Sequence, residues 1–232
     1  MRYPPVLARL SRPLWVAVLL AVLALLVAGA PAATAADRQT VVMGGSTIYS
    51  SNGKSCMVGF NADKGHDPYG IVPGYCVQAV GTQWFADRER TIPIGTTVVA
   101  GYPHSGYGLI HYTNPDVSFP GQVRLGNGQT IDLAGAKNPV VGEQICQVGR
   151  VLGWTCGTVQ QVNVSVAFPD GMVNGLFTSS ACADPSNVGG AVVAGDKALG
   201  FIVGETGDCR VGGRTFYQPV IPVLAAHGLV LR

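Results

Sequence analysis

A long apolar stretch stands near the start of the chain, from Leu14 to Ala30, preceded by Arg2, Arg9 and Arg12 and followed by Ala33-Thr34-Ala35. Basic residues, an apolar run and a small-x-small step in that order predict an export signal over residues 1–36. The run is long for such a signal, so an uncleaved anchor is the competing expectation. Beyond it the pattern changes to short β-prone runs separated by turn residues. Ser55 to Asn61 alternates small and apolar positions, and Thr97–Tyr102, Val162–Val166 and Asn174–Thr178 are further candidate strands. Ala62-Asp63-Lys64-Gly65-His66-Asp67 is polar throughout and predicts a hairpin tip; Gly126-Asn127-Gly128 predicts a tight turn.

Composition sharpens this picture. Without residues 1–36 the chain loses three arginines and no acids, leaving 12 basic against 13 acidic residues, a net charge of −1 where the whole chain carries +2. That excludes a polybasic nucleic-acid or membrane-surface role, so no nucleic acid and, after signal cleavage, no membrane is expected as a partner. About 196 residues remain, enough for a real core in one domain or two small ones. The 32 glycines and sparse charge favour many short strands over helices.

All six cysteines, Cys56, Cys76, Cys146, Cys156, Cys182 and Cys209, follow the export signal, so three disulfides are expected. Sequence alone leaves all fifteen connectivities open. There is no C-x-x-C and no histidine–cysteine cluster, so neither a metal nor a cofactor is expected. Asn61, Asp63 and Asp67 alternate as calcium ligands do, but no bidentate glutamate follows at the required distance, and a solvated turn with an exposed His66 is the reading.

Ala181-Cys182-Ala183-Asp184-Pro185-Ser186-Asn187-Val188-Gly189-Gly190-Ala191 resembles the nucleophile loop C-A-E-P-G-D-S-G-G-P of the secreted bacterial chymotrypsin-like serine proteases, the streptogrisin and α-lytic protease group. The resemblance continues through Cys56-Met57-Val58-Gly59-Phe60, Gly74-Tyr75-Cys76, Tyr102 to Asn114, Cys146 to Val159, Ala198 to Cys209 and Thr215 to Val220. It implies an all-β trypsin-like fold of two antiparallel six-stranded barrels, the first over 37–118 and the second over 119–232. A short C-terminal helix, from Ile221 through Leu231, is implied as well. The implied disulfides are Cys56–Cys76, Cys146–Cys156 and Cys182–Cys209. Enzymes of the group carry a pro-segment that catalyses their folding; the few residues before Gly44-Gly45 lead us to expect none here.

The same resemblance places the family's general base at Tyr75, its orienting aspartate at Gly106 and its nucleophile at Val188. None of these can take that role: valine has no nucleophilic atom, glycine cannot orient an imidazolium, and a phenol with a pKa near 10 is protonated at neutral pH. Ser186 stands at the oxyanion glycine, and Val203, Gly204, Glu205 and His104 are the residues expected to line the substrate cleft. A buried arginine–aspartate pair of the family becomes two amides here, Gln147 and Asn187. Exchanging both members avoids the stranded charge that losing one would leave.

The implied function is a secreted, catalytically inactive homologue that binds an unidentified peptide or protein, expected as a monomer. Two other classes stay open at this point. One is a serine endopeptidase with relocated groups such as His104 and Ser186; the other is an exported structural protein with no defined ligand.

Overall fold

A computed structural model describes residues 39–150, 152–182, 189–207 and 212–232. The expected export signal, Ser186, Asn187, Val188 and Cys209 lie outside the described residues. The first half carries β1 (Thr40–Val41), β2 (Thr47–Ser50), β3 (Ser55–Met57), β4 (Phe60–Lys64), β5 (Asp67–Pro73), β6 (Gln83–Phe85), β7 (Pro93–Ala100) and β8 (Tyr107–Tyr112). A connecting region holds β9 (Val117–Ser118), β10 (Gln122–Arg124) and β11 (Thr130–Asp132). The second half has β12 (Gln144–Gly149), β13 (Gly153–Phe168), β14 (Gly171–Ser179), β15 (Ala191–Ala194), β16 (Lys197–Thr206) and β17 (Arg214–Pro219). Helix α1 (Val220–His227) and β18 (Val230–Leu231) end the chain.

The second half closes into a six-stranded barrel, β12-β13-β14-β17-β16-β15. In the first half the neighbours run β4-β5-β8-β7-β6-β2-β3, with β18 added outside β4. Only Val58 and Gly59 separate β3 from β4, so the two ends of that series are one bent strand and the series is a six-stranded ring. Val58 N–H donates to Ser46 O and Gly59 N–H to Ile71 O, both at 2.9 Å, carrying the pairing round the bend. The bend needs a glycine, because a Cβ on Gly59 would lie 3.0 Å from Phe201 of the other half.

Alternation along the strands produces three cores. Ile48, Val72, Trp84, Ile94 and Ile110 fill the first ring, and Ile145, Val159, Phe177, Leu199 and Tyr217 fill the second barrel. A third cluster joins Phe60, Ile71 and Leu109 to Phe201, Val203 and Val220 and so packs the halves against each other. Each large side chain fully withdrawn from water contributes about 1.5–3 kcal/mol. Within the first ring the buried Trp84 Nε1–H donates to Thr97 Oγ1 at 2.9 Å. Disulfides Cys56–Cys76 and Cys146–Cys156 form, and Cys182 is also disulfide-bonded, to a partner outside the described residues.

Several local expectations need adjusting. The hairpin tip shrinks to Gly65-His66, because Ala62 to Lys64 continue β4 opposite Tyr69 to Asp67. The strand expected from Thr97 begins at Pro93. The C-terminal helix stops at His227, where Gly228 adopts a left-handed conformation (φ 62°) and caps it. Val230 and Leu231 then pair antiparallel with Asp63 and Ala62, a non-local partnership. Asn61 and Asp63 serve structure: Asn61 Nδ2 donates to Val42 O and Pro120 O, and Asp63 accepts from Arg232 Nε at 2.6 Å.

Candidate functional site

Strand β5 ends at Pro73 and passes into a single 3-10 turn, Gly74–Cys76, that presents Tyr75. Gly74 N–H donates to Gly106 O at 2.9 Å, and a Cβ at Gly74 would lie 2.6 Å from Ser105 O. Only glycine lets this turn sit so close to the segment before β8, and the contact brings Tyr75 and Gly106 together. The Cys56–Cys76 bridge anchors the turn from the other side.

Tyr75, Gly106 and Val203 line one cleft of about 280 Å³. Burial pushes the Tyr75 phenol well above its ordinary value; the positive charge of Arg150 opposes this and the negative charge of Glu205 adds to it. The hydroxyl therefore keeps its proton throughout the neutral range. At Gly106 the place a side chain would take is filled: a Cβ would come within 2.6 Å of Gln218 Oε1. Gln218 is itself buried, with Nε2 donating to Pro219 O at 3.3 Å.

The tip of the β13–β14 hairpin forms the far wall, through Phe168, Pro169 and Asp170, with Val173 beneath. Tyr102 donates its hydroxyl to Asp170 Oδ2 at 3.1 Å, latching the loop before β8 to that tip. Phe168 lies on Gly204, where a Cβ would come 2.7 Å from the ring. Gly204 and Glu205 belong to β16 and pair with Phe216 and Thr215 of β17. His104 is exposed on the turn between β7 and β8 and is not among the cleft-lining residues; Gly204 and Glu205 are likewise not among them. Sequence reasoning missed Phe168, Asp170, Tyr102 and Gln218, which meet only when both halves are assembled.

The backbone from Ala181 to Cys182 is held by a neutral, buried network. Gln147 Nε2 donates to Cys182 O at 2.7 Å and Thr155 Oγ1 at 3.0 Å, and Gln147 Oε1 accepts from the Tyr217 hydroxyl at 2.7 Å. Ser179 Oγ lies 2.7 Å from the Tyr217 oxygen and accepts from Ala181 N–H at 3.0 Å. Burial raises the Tyr217 phenol to about 12, against the lowering effect of hydrogen bonds from Ser179 and Thr215. Both N–H donors of the Gln147 amide and its oxygen are engaged, and among the described residues no charge enters the network.

No family model matches the chain. The chain is similar to Streptogrisin-D of Streptomyces griseus, 38% identical over 196 residues, covering 84% of this chain and 49% of that protein. It is similar to Glutamyl endopeptidase 2 of the same organism, 36% identical over 191 residues, covering 82% of this chain and 99% of that protein. Of solved structures, Alpha-lytic protease homolog N4 superposes with a TM-score of 0.76 at 44% identity, covering 83% of this chain and 100% of that one. The chain spans about half the length of the streptogrisins it matches. Two six-stranded β-rings, disulfides at the family's positions and near-complete coverage of a relative more than a third identical lead to one conclusion: the chain belongs to the chymotrypsin-fold serine proteases of the streptogrisin and α-lytic protease type.

Proposed function

We propose that this member of the family is exported through residues 1–36 and acts as a monomer that binds polypeptide in its cleft without cleaving it. The observation that supports the reading is Tyr75: where the resemblance puts the general base stands a partly buried phenol pushed well above its ordinary value. Such a group cannot take a proton from a nucleophile at neutral pH. Gly106 supplies no carboxylate, its side-chain space is taken by Gln218, and Val188 supplies no nucleophile. When triad members are missing together, only binding and oxyanion contacts remain, and Ser186 replaces the glycine expected there.

Binding needs none of these groups. β16 pairs with β17 on one side through Thr206, while its pairing with β15 ends at Phe201. Among the described residues no strand pairs with the other edge of Val203 to Thr206. An extended peptide can add there through main-chain hydrogen bonds, with apolar side chains entering the cleft beside Tyr75, Val173 and Phe168. The disulfide-rich composition fits an oxidising, extracellular destination. Hydrogen exchange with and without a saturating library of short apolar peptides tests the binding. The amides of Val203 to Thr206 are expected to gain protection; protection that is unchanged there contradicts the proposal.

A further inference from the structure

Beside the cleft lies a second, more polar basin of about 630 Å³, bordered by Arg88, Arg90 and Arg150 together with Thr47, Tyr49 and Ser55. Three exposed guanidiniums on one small surface are a marked concentration in a chain with only 12% charged residues. Among the described residues no carboxylate lines the basin and no ion pair involves these arginines. Of the two neighbouring acids, Glu89 is exposed and does not line the basin, and Asp87 is turned into its own loop, where it accepts from the N–H groups of Thr91 and Ile92 at 2.8–3.0 Å. That clamp, with Arg90 N–H donating to Asp87 O, holds Arg90 in a left-handed conformation (φ 58°) and fixes the backbone that carries both Arg88 and Arg90. Arg150 is steadied from below by Ser55 Oγ at 3.3 Å.

We infer that this basin receives an acidic segment of a polypeptide whose neighbouring residues occupy the cleft. Guanidinium forks match carboxylates in two-point hydrogen bonds, and three of them around hydroxyl groups suit several carboxylates in succession. Basin and cleft adjoin along the β2–β3 hairpin: Gly53 borders the first and Lys54 the second. A strand leaving the cleft is thereby carried over the arginines, which is why polypeptide rather than a small anion is the occupant. The choice of polypeptide rests on the proposed binding function; the preference for negative charge stands on the arginines alone.

Fluorescein-labelled octaglutamate, titrated into the purified protein and followed by anisotropy, tests the inference. Binding is expected, weakening as salt rises, with octaglutamine inert. Replacing Arg88, Arg90 and Arg150 together by glutamine is expected to weaken it about tenfold or more, while Arg214→Gln, on β17 outside the basin, leaves it unchanged. Should the triple variant fail to fold, the three single glutamine variants carry the test, each weakening binding about threefold. The inference is overturned if octaglutamate does not bind, or if the variants bind it as well as the parent. It is also overturned if a heparin fragment binds more tightly than the peptide, or inorganic phosphate displaces the peptide at comparable concentration. Octaglutamate has no apolar side chains for the cleft, so its failure to bind leaves the cleft reading standing.

Discussion

Under the proposed reading, Gln147 is where a single residue answers to a change in the chemistry around it. In the family an arginine at this position is paired with an aspartate; here the amide donates twice and accepts once, entirely among neutral groups. A guanidinium placed there would find Cys182 O and Thr155 Oγ1 but no carboxylate at residue 187, where the sequence has asparagine. Gln147→Arg is therefore expected to cost about 3–5 kcal/mol, the penalty of an uncompensated buried charge. Urea unfolding should show the midpoint falling with little change in slope; full stability in the variant would remove the idea that both partners were exchanged together. The expected swap of Gln147 and Asn187 rests on the resemblance, which supplied the pairing. The engagement of the amide was not legible in the sequence, since Tyr217 and Ser179 arrive from strands about 70 and 32 residues away.

At the scale of elements, alternation and turn residues found the strands because each records a local preference. Gly126-Asn127-Gly128 does form the turn between β10 and β11, and Val162–Val166 and Asn174–Thr178 lie within β13 and β14. What alternation could not find was the bend at Val58-Gly59, which packs closely against Phe201, or the strand at Val230–Leu231, which pairs with the edge that β4 offers. The tail is fixed by Arg232, whose Nε donates to Asp63 at 2.6 Å and Nη1 to Phe119 O at 2.7 Å. Arg232→Ala is expected to destabilise by about 1–2 kcal/mol, most of it from the charged bond to the partly buried carbonyl. Hydrogen exchange should show lost protection at Ala62 and Asp63 while the second barrel is untouched. Equal loosening of β12 to β17 would mean that the tail acts on the whole fold and not on this edge.

For the molecule as a whole, the barrels are those of the protease family, and the proposed departure from the family lies at the seam between them. The fold was readable from cysteine spacing and scattered motifs because packing tolerates replacement at the site: Gln218 and Phe168 fill room beside Gly106 and Gly204. Fold alone does not carry activity, and under the proposed reading, with base, orienting acid and nucleophile absent, what remains is a scaffold and a cleft. Glutamyl endopeptidase 2, covered almost end to end, bears a name for peptide cleavage; this chain is proposed to hold polypeptide and leave it intact. The most direct measurement is intact mass after incubating the purified protein with a fluorophosphonate, beside an active relative treated identically. The account predicts full modification of the relative and an unchanged mass for this chain. Stoichiometric labelling, with matching hydrolysis of a peptide ester abolished by changing one of this chain's own side chains, would contradict it.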